Sequence, residues 1–251
     1  MVLVWAGLAG AAAGLAFGYL GAGGAIVTLP FVLYLADMPA HMALGSKAAG
    51  VALIATALAL WRVARGQADL RAGAALALPG LAGVWAGTRL GLALGGHELV
   101  RLLGALLFLV AGWVAWASRG AAMPAGGGAP GAGGPWLPLG LAGLGVGAVA
   151  GFFGVAGGFL VVPALMLVAG MDLVQSAATA MVPIAAFAGW IGIQYWLSGD
   201  ADPAFALAMV LPGVAAGFGG MWLGRHVSRT LSQQVFAGFL VALGVYMVVL
   251  R

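Results

Sequence analysis

The chain has 251 residues, 64% hydrophobic and 6% charged, with a mean hydropathy of +1.13 and a net charge of +4. A soluble domain carries about 25% charged residues, so a water-soluble globular protein is excluded. The absence of cysteine removes disulfides, thiolate metal sites and thiol redox chemistry, and basic residues scattered among loops give no face for nucleic acid.

Apolar runs follow one another nearly end to end, many long enough to cross a bilayer at about 20 residues each. In chain order they lie near 3–20, 25–36, 41–61, 71–91 and 99–117, then near 137–153, 158–169, 173–197, 204–224 and 232–250. The run from Val2 continues into more apolar sequence and reads as mature protein rather than a cleaved signal. An all-α polytopic membrane protein is expected, with the lipid bilayer as its surroundings.

The second five runs repeat the first. Residues 14–118 align without a gap onto 147–251, pairing Gly18 with Gly151, Gly21 with Gly154, Gly24 with Gly157, Pro30 with Pro163, Asp69 with Asp202 and Pro79 with Pro212. The tract MPAGGGAPGAGGP (123–135) cannot form a helix. The expected division is a first transmembrane repeat over 1–118, a Gly/Pro-rich linker over 119–136 and a second repeat over 137–251.

The first two runs of each half total some 34 residues, roughly 50 Å as one helix, too long for one crossing and too short for two. The glycine cluster falls at the join, which predicts two partial helices meeting at a break or re-entrant turn, followed by three crossings. Arg62, Arg65 and Arg71 mark the loop after the third run as cytoplasmic. The matching loop SGDADP has no basic residue, and Arg225 and Arg229 follow the fourth run instead. Opposite insertion of the halves, an inverted repeat of the kind carriers use, accounts for this pattern. Arg89 and Arg101 point the other way, and a parallel arrangement with four crossings per half is the alternative.

A helix break inside a bilayer leaves backbone N–H and C=O groups that protein, water or ligand must satisfy. The helices starting near Gly24 and Gly157 would present free N–H donors and a positive dipole end to a small oxyanion. The candidate binding residues are therefore Gly21, Gly23 and Gly24 in one half and Gly154, Gly157 and Gly158 in the other. The competing reading is that these glycines only let helices pack closely. Ser46 and Thr179, at equivalent places in the third runs, add hydroxyls that either donate to an anion or bond back to their own helix. Lys47 is an ionisable group within a span, a functional hypothesis unless it snorkels to the interface, and its counterpart is Ala180. His41, His97 and His226 have no second ligand at metal spacing, Gln194 and Tyr195 face either a cavity or the interface, and Asp69 and Asp202 suit turns or caps. No catalytic residue, metal site or cofactor is expected.

The paired motifs GYLGAGGAIVTLP and GFFGVAGGFLVVP, followed by ALGSK and SAATA and then an Asp-bearing loop, resemble the TauE/SafE (TSUP) family of sulfite exporters over nearly the whole chain. Ala25 and Ala156 stand where a full glycine run would have Gly, and Lys47 is outside the family pattern. The resemblance implies a multi-pass transporter of the bacterial inner membrane carrying sulfite, thiosulfate or an organosulfonate. The residues themselves imply only a small anionic substrate. Facilitated export is the simplest mechanism; an anion channel, proton-coupled uptake, a non-transporting scaffold and a homo-oligomer stay open. A membrane-embedded enzyme is disfavoured because no nucleophile–base pair can be assembled within a span.

Overall fold

A computed structural model describes residues 2–21, 24–28, 32, 38–94, 98–99, 102, 105–106 and 136–224. Gly23, His97, His226, Arg225, Arg229, the linker before Trp136, most of 99–117 and all of 232–250 lie outside the described residues. The described elements are all helical: α1 (Val2–Leu20), α2 (Gly24–Val27), α3 (Ala40–Ala64), α4 (Leu70–Leu92), α5 (Trp136–Phe153), α6 (Gly158–Ala169), α7 (Leu173–Thr179), α8 (Met181–Leu197) and α9 (Pro203–Leu223). Among the described residues six helical spans are long and apolar enough to cross a membrane, with α7 and α8 together making one of them.

Local chemistry sets most boundaries. Asp69 and Asp202 cap α4 and α9 in the same way, each carboxylate accepting from the backbone N–H groups two and three residues on. Asp172 caps α7 through the Gln175 N–H. Asp202→Ala should therefore cost about 1 kcal/mol, read as a lowered unfolding midpoint with the helical content unchanged. Where α3 runs unbroken, its counterpart divides at Ala180 into α7 and α8. Pro183 has no N–H to give the Thr179 carbonyl and its ring crowds that carbonyl, whereas the equivalent residue in α3 is Gly50.

Close approach of glycines fixes the packing. A Cβ on Gly10, Gly14 or Gly18 of α1 would overlap the backbone carbonyl of Met209, Gly213 or Gly217 of α9, respectively. The same contacts recur with the halves exchanged: Gly143, Gly147 and Gly151 of α5 lie against the carbonyls of Leu76, Gly80 and Val84 of α4. Both pairs run parallel, since the numbers rise together. By contrast α3 and α8 run antiparallel, with Gly45 against Tyr195, Ala49 against Gly192 and Ala52 near Gly189. The bundle thus has an Arg65 end, where α1, α3 and α9 finish, and a Lys47 end, where α4, α5 and α8 finish.

The first member of each broken pair is longer than the partial helix expected: α1 has 19 residues and α5 has 18, about 27–28 Å. In the second half the second member is short. With 12 residues, α6 covers about 18 Å of a hydrocarbon core of about 30 Å.

Candidate functional site

Both glycine motifs break the helix as expected, through backbone in the left-handed region: φ is +70° at Gly21, +63° at Gly154 and +66° at Gly157. Ala156 also has a positive φ, 55°, a conformation costing an L-residue about 1–2 kcal/mol. Strain of this kind persists where the surroundings impose it, often at functional sites. The glycines are buried and do not face lipid.

The two breaks do not converge near mid-membrane. Gly21 lies against Ala177 of α7, and Gly154 lies against Leu44 of α3, its added Cβ falling 3.3 Å from the Leu44 Cβ. Because α3 and α7–α8 are antiparallel, Leu44 and Ala177 sit at opposite ends of the pair, roughly 30 Å apart along it. A shared cradle built from both motifs is therefore replaced by two separate breaks, one at each end. Nor are Gly24 and Gly157 open to a ligand. A Cβ on Gly24 would come 2.7 Å from the Phe17 ring, and one on Gly157 2.8 Å from the Ala150 Cβ. Their missing side chains let α2 and α6 fold back on α1 and α5.

The hydroxyls are also spent within the protein. Ser46 donates to the Met42 carbonyl at 2.7 Å and accepts from the Asp202 N–H at 2.7 Å. Thr179 accepts from the Asp69 N–H at 3.0 Å. Ser46 thus has no proton left for an anion.

What distinguishes the two breaks is their polar endowment. At the Arg65 end, the Arg62 Nη2 donates to the Gly18 carbonyl at 3.1 Å, placing a cation on the C-terminus of α1. At the Lys47 end the residue equivalent to Arg62 is Tyr195, whose buried hydroxyl has no partner among the described residues. Among the described residues, five at this end hold buried side-chain atoms with no hydrogen bond: His41 (Nε2), Lys47 (Nζ), Thr88 (Oγ1), Gln194 (Nε2 and Oε1) and Tyr195 (OH). Their counterparts at the Arg65 end are Val174, Ala180, Met221, Trp61 and Arg62. Thr88 carries no motif and would have been found only by noting that its equivalent in the other half is apolar.

These groups lie on α3, α4 and α8 at this end of the bundle. His41 and Tyr195 meet edge to face with centroids 6.2 Å apart. Lys47 is about 200° round α3 from Gly45, which faces α8, and so points away from that helix. His41, Leu44 and Lys47 form a row three residues apart, whose side chains are neighbours on a helix. The middle member is the one in contact with Gly154.

Beyond this contact α6 begins. The N–H groups of Ala156, Gly158 and Phe159 make no backbone hydrogen bond among the described residues, leaving donors at the positive end of a 12-residue helix. Lys47 is 1% exposed, and Asp69, Asp172 and Asp202 are all engaged as helix caps. The arrangement offers one positive charge and several neutral donors. Asp202 at the same end is engaged as a cap, and Asp200 lies beside Tyr195, its N–H donating to the Tyr195 carbonyl at 2.8 Å. The groups that suit a small oxygen-bearing anion are therefore Lys47 and the donors at the start of α6. No group of three metal-ligating side chains occurs among the described residues.

The family model described as "Sulfite exporter TauE/SafE" matches residues 6–247. The chain is 27% identical to a "Probable membrane transporter protein" of Xylella fastidiosa strain 9a5c, over 95% of this chain and 92% of the relative. A protein of the same description from Xylella fastidiosa strain Temecula1 matches with the same identity and coverage. No solved structure matches.

Proposed function

The chain belongs to the sulfite exporter TauE/SafE family of multi-pass membrane transporters, and from that premise we propose that it carries small sulfur-containing anions, such as sulfite, thiosulfate or an organosulfonate, outward across a bacterial inner membrane. The observation that supports the reading is Lys47, a buried cation with no partner among the described residues. Burying an unpaired charge is costly, and a bound anion is the counter-charge that removes the cost. The cargo rests on the family; the anionic character rests on Lys47 and the open donors at the start of α6. The proposed site is single, at the Lys47 end, and Gly158 belongs to it through its backbone N–H, whereas the Gly154 N–H is engaged by the Gly151 carbonyl at 3.1 Å.

Division into two repeats joined by the linker, one inserted opposite to the other, is part of the proposal. Its support is the antiparallel run of α3 and α8 together with the exchanged glycine contacts. In this reading Arg62, Arg65 and Arg71 favour a cytoplasmic Arg65 end, against Arg89 at the other end, and the site then lies toward the outer face. We assign the chain no enzymatic role.

Outward movement of a dianion is favoured by about 4.6 kcal/mol per 100 mV of interior-negative potential, twice the single-charge value. The capped carboxylates lie at helix ends, outside any proton path through a span. In liposomes with an imposed potential, sulfite flux should rise as the compartment holding it becomes more negative. Flux indifferent to voltage and strictly dependent on a proton gradient would overturn facilitated export in favour of coupled uptake.

A further inference from the structure

The geometry points to Ser46 and Thr179 as the latches of two gates that open alternately, an inference that rests on the transport reading. Both residues are 0% exposed. Each accepts the backbone N–H of the aspartate that caps the helix of the fourth apolar run in the opposite half: Asp202 before α9 for Ser46, and Asp69 before α4 for Thr179. The two bonds are equivalents under the repeat with the halves exchanged, 46 with 179 and 69 with 202. They also lie at opposite ends of the bundle, Ser46 at the Lys47 end and Thr179 at the Arg65 end. Each therefore ties the third helix of one half to the connection between the third and fourth helices of the other. Separating the halves at one end must break that end's bond and need not touch the other. Both bonds are made here.

A carrier built from exchanged halves works when one such contact opens while its twin holds. The bonds suit that use. Each is one hydrogen bond to a backbone donor, worth enough to hold a closed state and weak enough to release. The Ser46 latch also adjoins Lys47 in sequence, so an anion drawn to the lysine acts on the helix turn that carries the latch.

The chain lacks cysteine, and Ala43 and Ser176 are equivalent buried positions at the two ends. Ala43→Cys or Ser176→Cys is introduced into the full-length protein, and labelling by a membrane-impermeant maleimide is timed from each side of reconstituted vesicles. Ser46→Ala should raise labelling of the cysteine at position 43 about fivefold, the shift expected for one net hydrogen bond, and lower labelling at 176. Thr179→Ala should do the reverse. Ser46→Thr and Thr179→Ser keep a hydroxyl and should keep the parent pattern, which separates gating from general loosening. A rise at both ends in either alanine variant, or no change at either, overturns the inference. Reciprocal labelling without sulfite flux in any variant or the parent would sink the cargo assignment and leave the latches standing. Flux in the parent with non-reciprocal labelling would sink the latches alone.

Discussion

Replacing Lys47 with methionine should weaken sulfite binding by at least about tenfold while making the empty protein more stable. The two effects share one origin. Lys47 is enclosed with its Nζ unpaired among the described residues, and an uncompensated buried charge costs several kcal/mol in the folded state. Methionine fills a similar volume without that cost, so the unfolding midpoint of detergent-purified protein should rise, by about 2–4 °C for each kcal/mol regained. A charge-assisted hydrogen bond to a ligand is worth about 1.5–3 kcal/mol, which sets the tenfold floor on the binding loss. Calorimetry with sulfite and a thermal melt without it read both effects. A structural lysine gives the opposite pair, with stability lowered and affinity unchanged.

The second large effect concerns the glycine ladders. Gly14→Leu or Gly147→Leu should prevent the folded state from forming, because even a Cβ at these sites overlaps the backbone carbonyl of Gly213 or Gly80. Backbone, unlike a flexible side chain, cannot turn aside. Overpacking of this kind costs about 1–3 kcal/mol or more, and every neighbouring rung of the ladder must shift with it. Gly145→Leu and Gly219→Leu are the controls, since nothing lies within 4 Å of an added Cβ at either position. Size-exclusion profiles of the four variants should separate into two aggregating and two monodisperse proteins. Equal behaviour of all four would remove close glycine packing as the basis of the bundle.

Much of this fold is legible in the chain itself. The run at 158–169 coincides with α6, because it is bounded by the Gly154–Gly157 break and by Gly170. The matched aspartates become the matched caps of α4 and α9 through bonds to their own next residues. Lys47 stands out as a charge in an apolar run and is buried. What local pattern cannot show is who meets whom. Ser46 reads as a donor to an anion or to its own helix, and the second holds through the Met42 carbonyl. That Asp202, 156 residues away, donates to it is not legible. The two glycine breaks look like one paired site because their sequences match. Only the contacts with Leu44 and Ala177, on antiparallel helices, place them at opposite ends. The repeat also conceals the difference that matters, since Arg62 on one side and Tyr195 on the other occupy the same position and leave their ends with different polar needs.

A structure of the protein soaked with selenite, a heavier analogue of sulfite whose anomalous signal marks its position, tests the single-site account most directly. Bound selenium should lie at the start of α6, beside Gly158 and within reach of the Lys47 ammonium, and should be lost in Lys47→Met. Selenium seated instead at the Gly21–Gly24 break, or shared between both breaks, would contradict it.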